Sequence, residues 1–421
     1  MLPTIPARLL AAVVVSVVLL TGCHSEVSGG AVKAKDTDTA NVTLMDTGTY
    51  PTTLGHIFGT AGDDKFAQSV LEAHRLADFV TGPWQVDETI TQFPYLELLV
   101  QIGGMPTPPD LERVFGPWLS SVAAKHGYIT GFSTRRVSPG TPPSRGLTNA
   151  VLRFADPAAA AAATAELAAA NPTLPGDSPH EPAVIDKHPE AMAVRYARAS
   201  GARAVDSFTA RGPYVLYQTA FNSIGHGPEK TPELLILACL DRQVKLIDQF
   251  VPTDPANLNS LPLDASGRLL AATLVRDGAT LPFDAGVWQR PGWLHFAVDP
   301  AGSAAALQSA GVDYVAQRLA TVYQATNADA AQHLMDFLAG QASHAADVQG
   351  LSDPVPGFPA AQCFRRTGPT QSPDAPATYR MMQWQFKCVA RADRYAFTVF
   401  SDSQKDAMQQ ISAQYRILAG K

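Results

Sequence analysis

Ala150-Val151-Leu152-Arg153-Phe154-Ala155-Asp156-Pro157-Ala158, with the alanine-rich run that continues to Ala170, is the stretch on which the fold turns. Val151, Leu152 and Phe154 in a short β-prone segment predict a strand. Asp156 predicts the cap of a following helix, because its carboxylate can accept from an unpaired N–H of the first turn. Pro157 suits the first helical position, where it has no N–H to leave unsatisfied. The passage is answered 170 residues on by Gln324-Ala325-Thr326-Asn327-Ala328. There Val322-Tyr323-Gln324 predicts the strand, Thr326 the cap, and Asp329 the acidic member of a capping box.

Working outward, the correspondence continues in the same order. Pro189-Glu190-Ala191-Met192-Ala193-Val194-Arg195 matches Pro359-Ala360-Ala361-Gln362-Cys363-Phe364-Arg365. Ala210-Arg211-Gly212-Pro213-Tyr214 matches Ala390-Arg391 with Arg394-Tyr395, and Gln243-Val244-Lys245-Leu246-Ile247 matches Gln414-Tyr415-Arg416-Ile417-Leu418. A further match joins Ala77-Asp78-Phe79-Val80 to Val312-Asp313-Tyr314-Val315. Collinear order and a near-constant offset argue for an internal duplication. Alternating segments predict strands at 192–198, 205–210 and 214–221, then at 363–366, 382–390 and 395–400. Each half closes with a helix, one opened by Thr231-Pro232-Glu233 and one by Ser401 with Gln404 as a capping box. Met408, Ile411, Tyr415 and Leu418 give the second helix one apolar stripe. The expectation is an α+β fold of two related domains from an internal duplication, each an antiparallel sheet packed with helices. Residues 45–275 are the N-terminal domain and 281–421 the C-terminal one. The segment Pro83 to Ser144, rich in Pro and Gly, is expected to be an insertion outside the common core. It carries Trp84 and Trp118, which are expected to pack at a core or domain interface. An aromatic binding groove is the alternative for them.

The N-terminus reads as an export signal. Arg8 precedes the uncharged stretch Leu9 to Leu20, which is shorter than the roughly 18–20 residues needed to span a bilayer. Leu20-Thr21-Gly22-Cys23 then resembles the bacterial lipobox. That resemblance implies a signal peptide over residues 1–22, cleavage after Gly22 and lipidation of Cys23, with residues 23–44 as a flexible tether. Two or three acyl chains would suffice for stable anchoring. The expected location is the outer face of the cytoplasmic membrane, after secretion across it.

The chain of 421 residues has a formal net charge of −6, and loss of residues 1–22 removes only Arg8. An acidic exported chain speaks against nucleic-acid binding, and no basic run is present to hold an anionic membrane surface. Beyond Cys23 the cysteines are Cys239, Cys363 and Cys388. Three pairings are open in an oxidising compartment. Cys363 and Cys388, nearest in sequence and on two expected strands of one half, are the expected disulfide. Cys239 lies in an apolar run and is expected to stay free and buried.

Met45-Asp46-Thr47-Gly48-Thr49-Tyr50-Pro51-Thr52-Thr53, Leu71 to Val80 with Gly82-Pro83-Trp84, and Gln243 to Phe250 followed by Pro252-Thr253 resemble a set of actinobacterial cell-envelope lipoproteins common in mycobacteria and nocardiae. The resemblance spans most of the mature chain. It implies location and duplicated architecture, and it brings no catalytic residues.

No motif supplies a mechanism. His180, Asp186 and His188 lie close together with Glu181 and Glu190, in a Pro-rich stretch without metal-ligand spacing. Gly131-Phe132-Ser133-Thr134-Arg135 begins like a nucleophile elbow, but Arg135 stands where the second Gly is needed. Gly103-Gly104 lacks the spacing and Lys of a phosphate loop. Asp78 and Asp313 are read as structural carboxylates at matching helix positions. No cofactor or metal is expected. The reading is a membrane-anchored envelope lipoprotein that binds a ligand, a lipid or a protein partner. The alternatives are an envelope hydrolase acting on lipid or glycan, using Ser133 or another unrecognised nucleophile with one of the histidines, and a structural or partnering module.

Overall fold

The computed structural model describes residues 40–94, 100–223, 231–275, 285–345, 347–368 and 377–421. Cys23, the expected signal peptide and the expected tether up to residue 39 lie outside them; residues 40–44, also expected to be tether, instead join the body, with a 3-10 turn at Val42–Leu44 and the Asn41 N–H donating to the Gly357 carbonyl at 2.7 Å. The described residues belong to one compact unit, Thr39–Lys421. Among them no helix is long and apolar enough to cross a membrane.

The first half runs α1 (Lys65–Ala77), α2 (Pro83–Val86), β1 (Gly103–Gly104), α3 (Pro108–Phe115), α4 (Pro117–Lys125), β2 (Tyr128–Val137), β3 (Arg145–Phe154), α5 (Pro157–Ala170), β4 (Glu181–Ala183), β5 (Met192–Ala197), β6 (Arg203–Arg211), β7 (Tyr214–Asn222) and α6 (Pro232–Ile247). The second runs β8 (Gly286–Gln289), α7 (Arg290–Trp293), α8 (Pro300–Ser309), β9 (Tyr314–Gln317), β10 (Ala320–Gln324), α9 (Ala328–Ser343), β11 (Val348–Gly350), β12 (Gln362–Arg366), α10 (Ala377–Met382), β13 (Phe386–Ala392), β14 (Tyr395–Ser401) and α11 (Gln404–Ala419).

Each half forms a seven-stranded antiparallel sheet, ordered β1-β2-β3-β7-β6-β5-β4 and β8-β9-β10-β14-β13-β12-β11. The two orders are the same, strand for strand. The registers agree as well. Asn149 faces Gln218 across β3 and β7, and Ala320 faces Val399 across β10 and β14. Ala193 faces Ser207 in the first sheet, and Cys363 faces Cys388 in the second. Gly103 faces Ser133, and Gly286 faces Gln317. The protein is therefore an α+β fold of two similar halves.

The repeated unit is larger than the sequence suggests. Segment Pro83 to Ser144 is not an insertion outside the common core: it supplies β1 and β2, the counterparts of β8 and β9. The pairing of Asp78 with Asp313 also fails. Asp78 caps the C-terminus of α1, whereas Asp313 directly precedes strand β9. The counterpart of the turn before β9 is the turn before β2, where Gly127 and Gly311 both take positive φ, 73° and 62°. The caps shift slightly. Asp156 accepts from Ala159 N–H at 2.8 Å as expected, but in the second half Asn327, not Thr326, caps α9, accepting from Ala330 N–H at 2.9 Å. Ser403, not Ser401, precedes α11; the Ser401 hydroxyl instead accepts from Ser403 N–H at 3.1 Å and donates to Asp406 at 2.6 Å.

One polar device is duplicated. From α6, Gln243 accepts from Thr81 N–H and donates to the Phe79 carbonyl, both at 2.8 Å. From α11, Gln414 accepts from Leu274 N–H at 2.7 Å and donates to the Ala272 carbonyl at 2.8 Å. Each amide satisfies the N–H and C=O of an irregular segment that would otherwise be buried unpaired.

The halves share a core. One cluster contains Leu76 of α1, Val80 just after it, Leu235 and Leu240 of α6, Trp288 of β8, Trp293, Phe296, and Leu334 and Leu338 of α9. Two further clusters line the remaining sheet faces, one under α5 and one under α11. Polar ties cross the junction. Asp78 Oδ1 accepts from Gly292 N–H at 2.8 Å, and His295 Nε2 lies 3.1 Å from the Ala77 carbonyl. Fully buried Arg136 donates to the carbonyls of Thr91, His295 and Ala297 at 3.0, 2.8 and 2.7 Å.

Candidate functional site

The residues singled out in the sequence do not converge on a reaction centre. Ser133 is buried in β2 and its hydroxyl donates to the Gln101 carbonyl rather than to a histidine. The acidic and histidine patch separates. His188 lies 3.1 Å from both Glu190 and Asp241, His180 packs on Tyr196, and Glu181 pairs with Arg195 at 3.7 Å. Among the described residues no group of three metal-ligating side chains is close enough to hold an ion. Trp84 packs edge-on to His295 and Trp118 edge-on to Phe208 and Tyr217, so both serve packing rather than lining a groove.

The three cysteines among the described residues fall as expected. Cys363 and Cys388 form a disulfide between directly opposed positions of β12 and β13, with Cα atoms 4.1 Å apart. Cys239 is free and buried on α6, and burial pushes its thiol up to about 12, leaving no thiolate to react.

The duplication makes a different site visible. In the first half, Phe208 of β6 and Tyr217 of β7 face each other in the ladder and stack at 4.7 Å. Trp118 and Phe115 close over them, at 6.0 Å from Phe208 and 5.1 Å from Tyr217 respectively, so the space under α4 and α5 is filled. The equivalent ladder pair in the second half is Val389 of β13 and Thr398 of β14. Counting back from the matched turns at Gly127 and Gly311, Leu119 of α4 is replaced by Ser303 of α8. Three large side chains thus give way to three smaller ones, of which Ser303 and Thr398 line an opening while Val389 stays buried in the core.

The result is a small pocket, with a cavity volume of about 40 Å³, that opens to solvent. Leu334, Phe337 and Leu338 of α9 form one wall, Trp293 and Phe296 the junction side, and Tyr323, Thr398 and Lys387 the sheet floor. The polar groups are few: Ser303, bonded to Gln341 Nε2 at 3.2 Å, Thr398, Tyr323 and the Lys387 ammonium. Apolar walls with a small number of polar groups are the usual make-up of a small-molecule site. Lys387 stands out electrostatically. Burial, aided by repulsion from Arg366, pulls its ammonium down to about 8. The matching position in the first half is Asp206, which is satisfied by Asn171 Nδ2 at 3.0 Å and the Tyr196 hydroxyl at 3.3 Å.

Sequence reasoning missed this site because it searched for reactive motifs. The available signal was a comparison of the aligned repeats for loss of side-chain volume at Phe208/Val389 and Tyr217/Thr398. A second, much roomier cleft, of about 600 Å³, runs along β5 and β6. It is lined by side chains of both signs, Glu181, Arg195, Arg203 and Glu233, together with Tyr196, Val205 and Pro232.

Among comparisons with known proteins, no curated sequence matches. The crystal structure of the extracellular domain of PknH from Mycobacterium tuberculosis aligns with 14% identity over 42% of this chain and 97% of that one, at a TM-score of 0.28, too low to carry an argument. Two family models do match, the N-terminal part of a domain of unknown function, DUF7373, over residues 58–263 and its C-terminal part over residues 269–421. Together they cover both sheets, and the chain belongs to the DUF7373 family.

Proposed function

We propose that this protein is an envelope lipoprotein that holds a small apolar molecule in its C-terminal half, tethered to the membrane by a lipid on Cys23. The tether is supported by the lipobox and the short apolar stretch before it. Mass spectrometry of the mature N-terminus tests it: an acylated Cys23, lost in Cys23→Ala together with membrane attachment, is the expected result. An unmodified N-terminus elsewhere would refute it.

The binding role is carried by one observation: the second half leaves open, with apolar walls, the space that the first half fills with aromatic rings. Refilling that space is the direct test. Val389→Phe with Thr398→Tyr copies the first-half pair into the second sheet. The unsubstituted protein is expected to bind the neutral fluorophore N-phenyl-1-naphthylamine, and the refilled variant to lose most of that binding while retaining its circular dichroism spectrum. Equal binding by both proteins, or no binding by either, would exclude the pocket as the site.

A further inference from the structure

We infer that the cleft along β5 and β6 binds a short peptide with free ends, its carboxylate held by Arg195 and Arg203 and its ammonium by Glu233. The inference goes beyond the apolar pocket and does not depend on it. Arg203 and Val205 lie two apart on β6, and Arg195 stands directly opposite Val205 on β5. All three therefore share one sheet face. Val205 packs there with Leu235 and Leu240 of α6, so both arginines project on the side where that helix begins. The other wall is Thr231, Pro232 and Glu233. The Thr231 hydroxyl already accepts from Leu234 N–H at 3.3 Å, which leaves recognition to the side chains rather than to the helix terminus.

At the corresponding place in the second half stand larger groups. Phe386 replaces Val205, and its ring lies 6.0 Å from the guanidinium of Arg365, the counterpart of Arg195. Counting from the matched Gln243 and Gln414, Asp402 takes the place of Thr231, and it pairs with Arg380 of α10 at 2.9 Å. In the first half residues 198–202 alone join β5 to β6, with no helix like α10. The cleft left there, of about 600 Å³, falls within the roughly 300–1,000 Å³ of small-molecule sites. Among the described residues its lining carries two charges of each sign, Arg195 and Arg203 against Glu181 and Glu233. Such a lining gives a dianion no net attraction and suits a ligand that carries both charges. Arg195 and Glu181 are exposed and 3.7 Å apart, a loose pair that a carboxylate can enter. Guanidinium groups match the two oxygens of a carboxylate. Ala197, Val205 and Pro232 offer apolar contact to small peptide side chains.

The test titrates tetra-alanine in four forms, free, N-acetylated, C-amidated and blocked at both ends, into the chain from residue 23 onward carrying Cys23→Ala. At low ionic strength the free peptide should bind most tightly by calorimetry. Blocking either end should weaken it roughly threefold to thirtyfold, the range from an exposed ion pair to a charge-assisted hydrogen bond. Arg203→Gln should remove most of the sensitivity to C-amidation and keep that to N-acetylation, and Glu233→Gln should do the reverse. Arg203 is exposed and Glu233 half-buried, so neither variant threatens the fold. If the four forms bind alike, or none binds, the inference is wrong. It is also wrong if inorganic phosphate binds and the free peptide does not, which would make the cleft a plain anion site. Val389→Phe with Thr398→Tyr should leave the peptide titration unchanged. Loss of peptide binding in that variant would place the peptide in the other pocket and overturn this site.

Discussion

At the scale of single residues, the junction between the halves holds two groups whose titrations oppose each other. Burial lowers His295 from 6.5 to about 3, so the folded protein keeps it neutral. Burial raises Asp78 from 3.8 to about 7, against the Gly292 N–H and Arg75, which act the other way. As pH falls from 6.5 towards 3, the unfolded chain protonates His295 while the folded chain does not, and stability is lost by up to about 1.4 kcal/mol per unit. The Asp78 contribution is fully present below 3.8 and lost as pH rises to about 7, so over the same window acidification restores a similar amount. The two nearly cancel between about pH 4 and 6.5. Asp78→Asn should expose the histidine slope, with stability falling in acid, and His295→Asn the opposite slope. Urea midpoints across that window measure both, and slopes of the same sign in the two variants would contradict the assignment.

At the scale of elements, the disulfide shows how far the two sheets are interchangeable. Ala193 and Ser207 occupy in β5 and β6 the register places of Cys363 and Cys388, so the same bridge should fit the first sheet. Ala193→Cys with Ser207→Cys is expected to oxidise spontaneously, and thiol counting would show it. Two free thiols under oxidising conditions would mean that the registers match but the local geometry does not. Removing the native bridge, which closes a separation of 25 residues, should cost about 3 kcal/mol in the chain-entropy view. Strands β3, β5, β6, β7, β10, β12 and β14 and helices α5, α6, α9 and α11 were legible because their caps and alternation are local, whereas the strand expected at 382–390 begins only at Phe386, Met382 being the end of α10. Strand β2 was not. Tyr128 to Val137 contains β-branched and aromatic residues, but it sits after two short Pro-opened helices that look like loop. Two-residue β1 carries no pattern at all, since pairing with β2 alone defines it.

At the scale of the whole molecule, the two family-model segments do not correspond to two separate cores. Trp288, Trp293 and Phe296 of the second half share one cluster with Leu76, Phe132 and Ile236 of the first. Cutting there would expose these rings and leave the Arg136 guanidinium without two of its three carbonyl partners. The full chain should therefore unfold in one calorimetric transition, and residues 269–421 expressed alone should give no cooperative melt. Two resolved transitions, with a half that refolds by itself, would show that the shared cluster is dispensable.

The sequence by itself determined the α+β class, the duplication, the boundaries of most helices and strands, and the pairing of Cys363 with Cys388, because caps, alternation and repeat offset are properties of short segments read in order. Only the tertiary structure decided that β1 and β2 belong to the repeat, that Asp78 and Asp313 are unrelated, and that the two halves close on one core. It alone placed Ser303, Lys387 and Thr398, from three separate elements, around one pocket. Those facts depend on which surfaces meet, and a cavity is set by the volume that distant side chains fail to fill. Neither leaves a local trace in the chain.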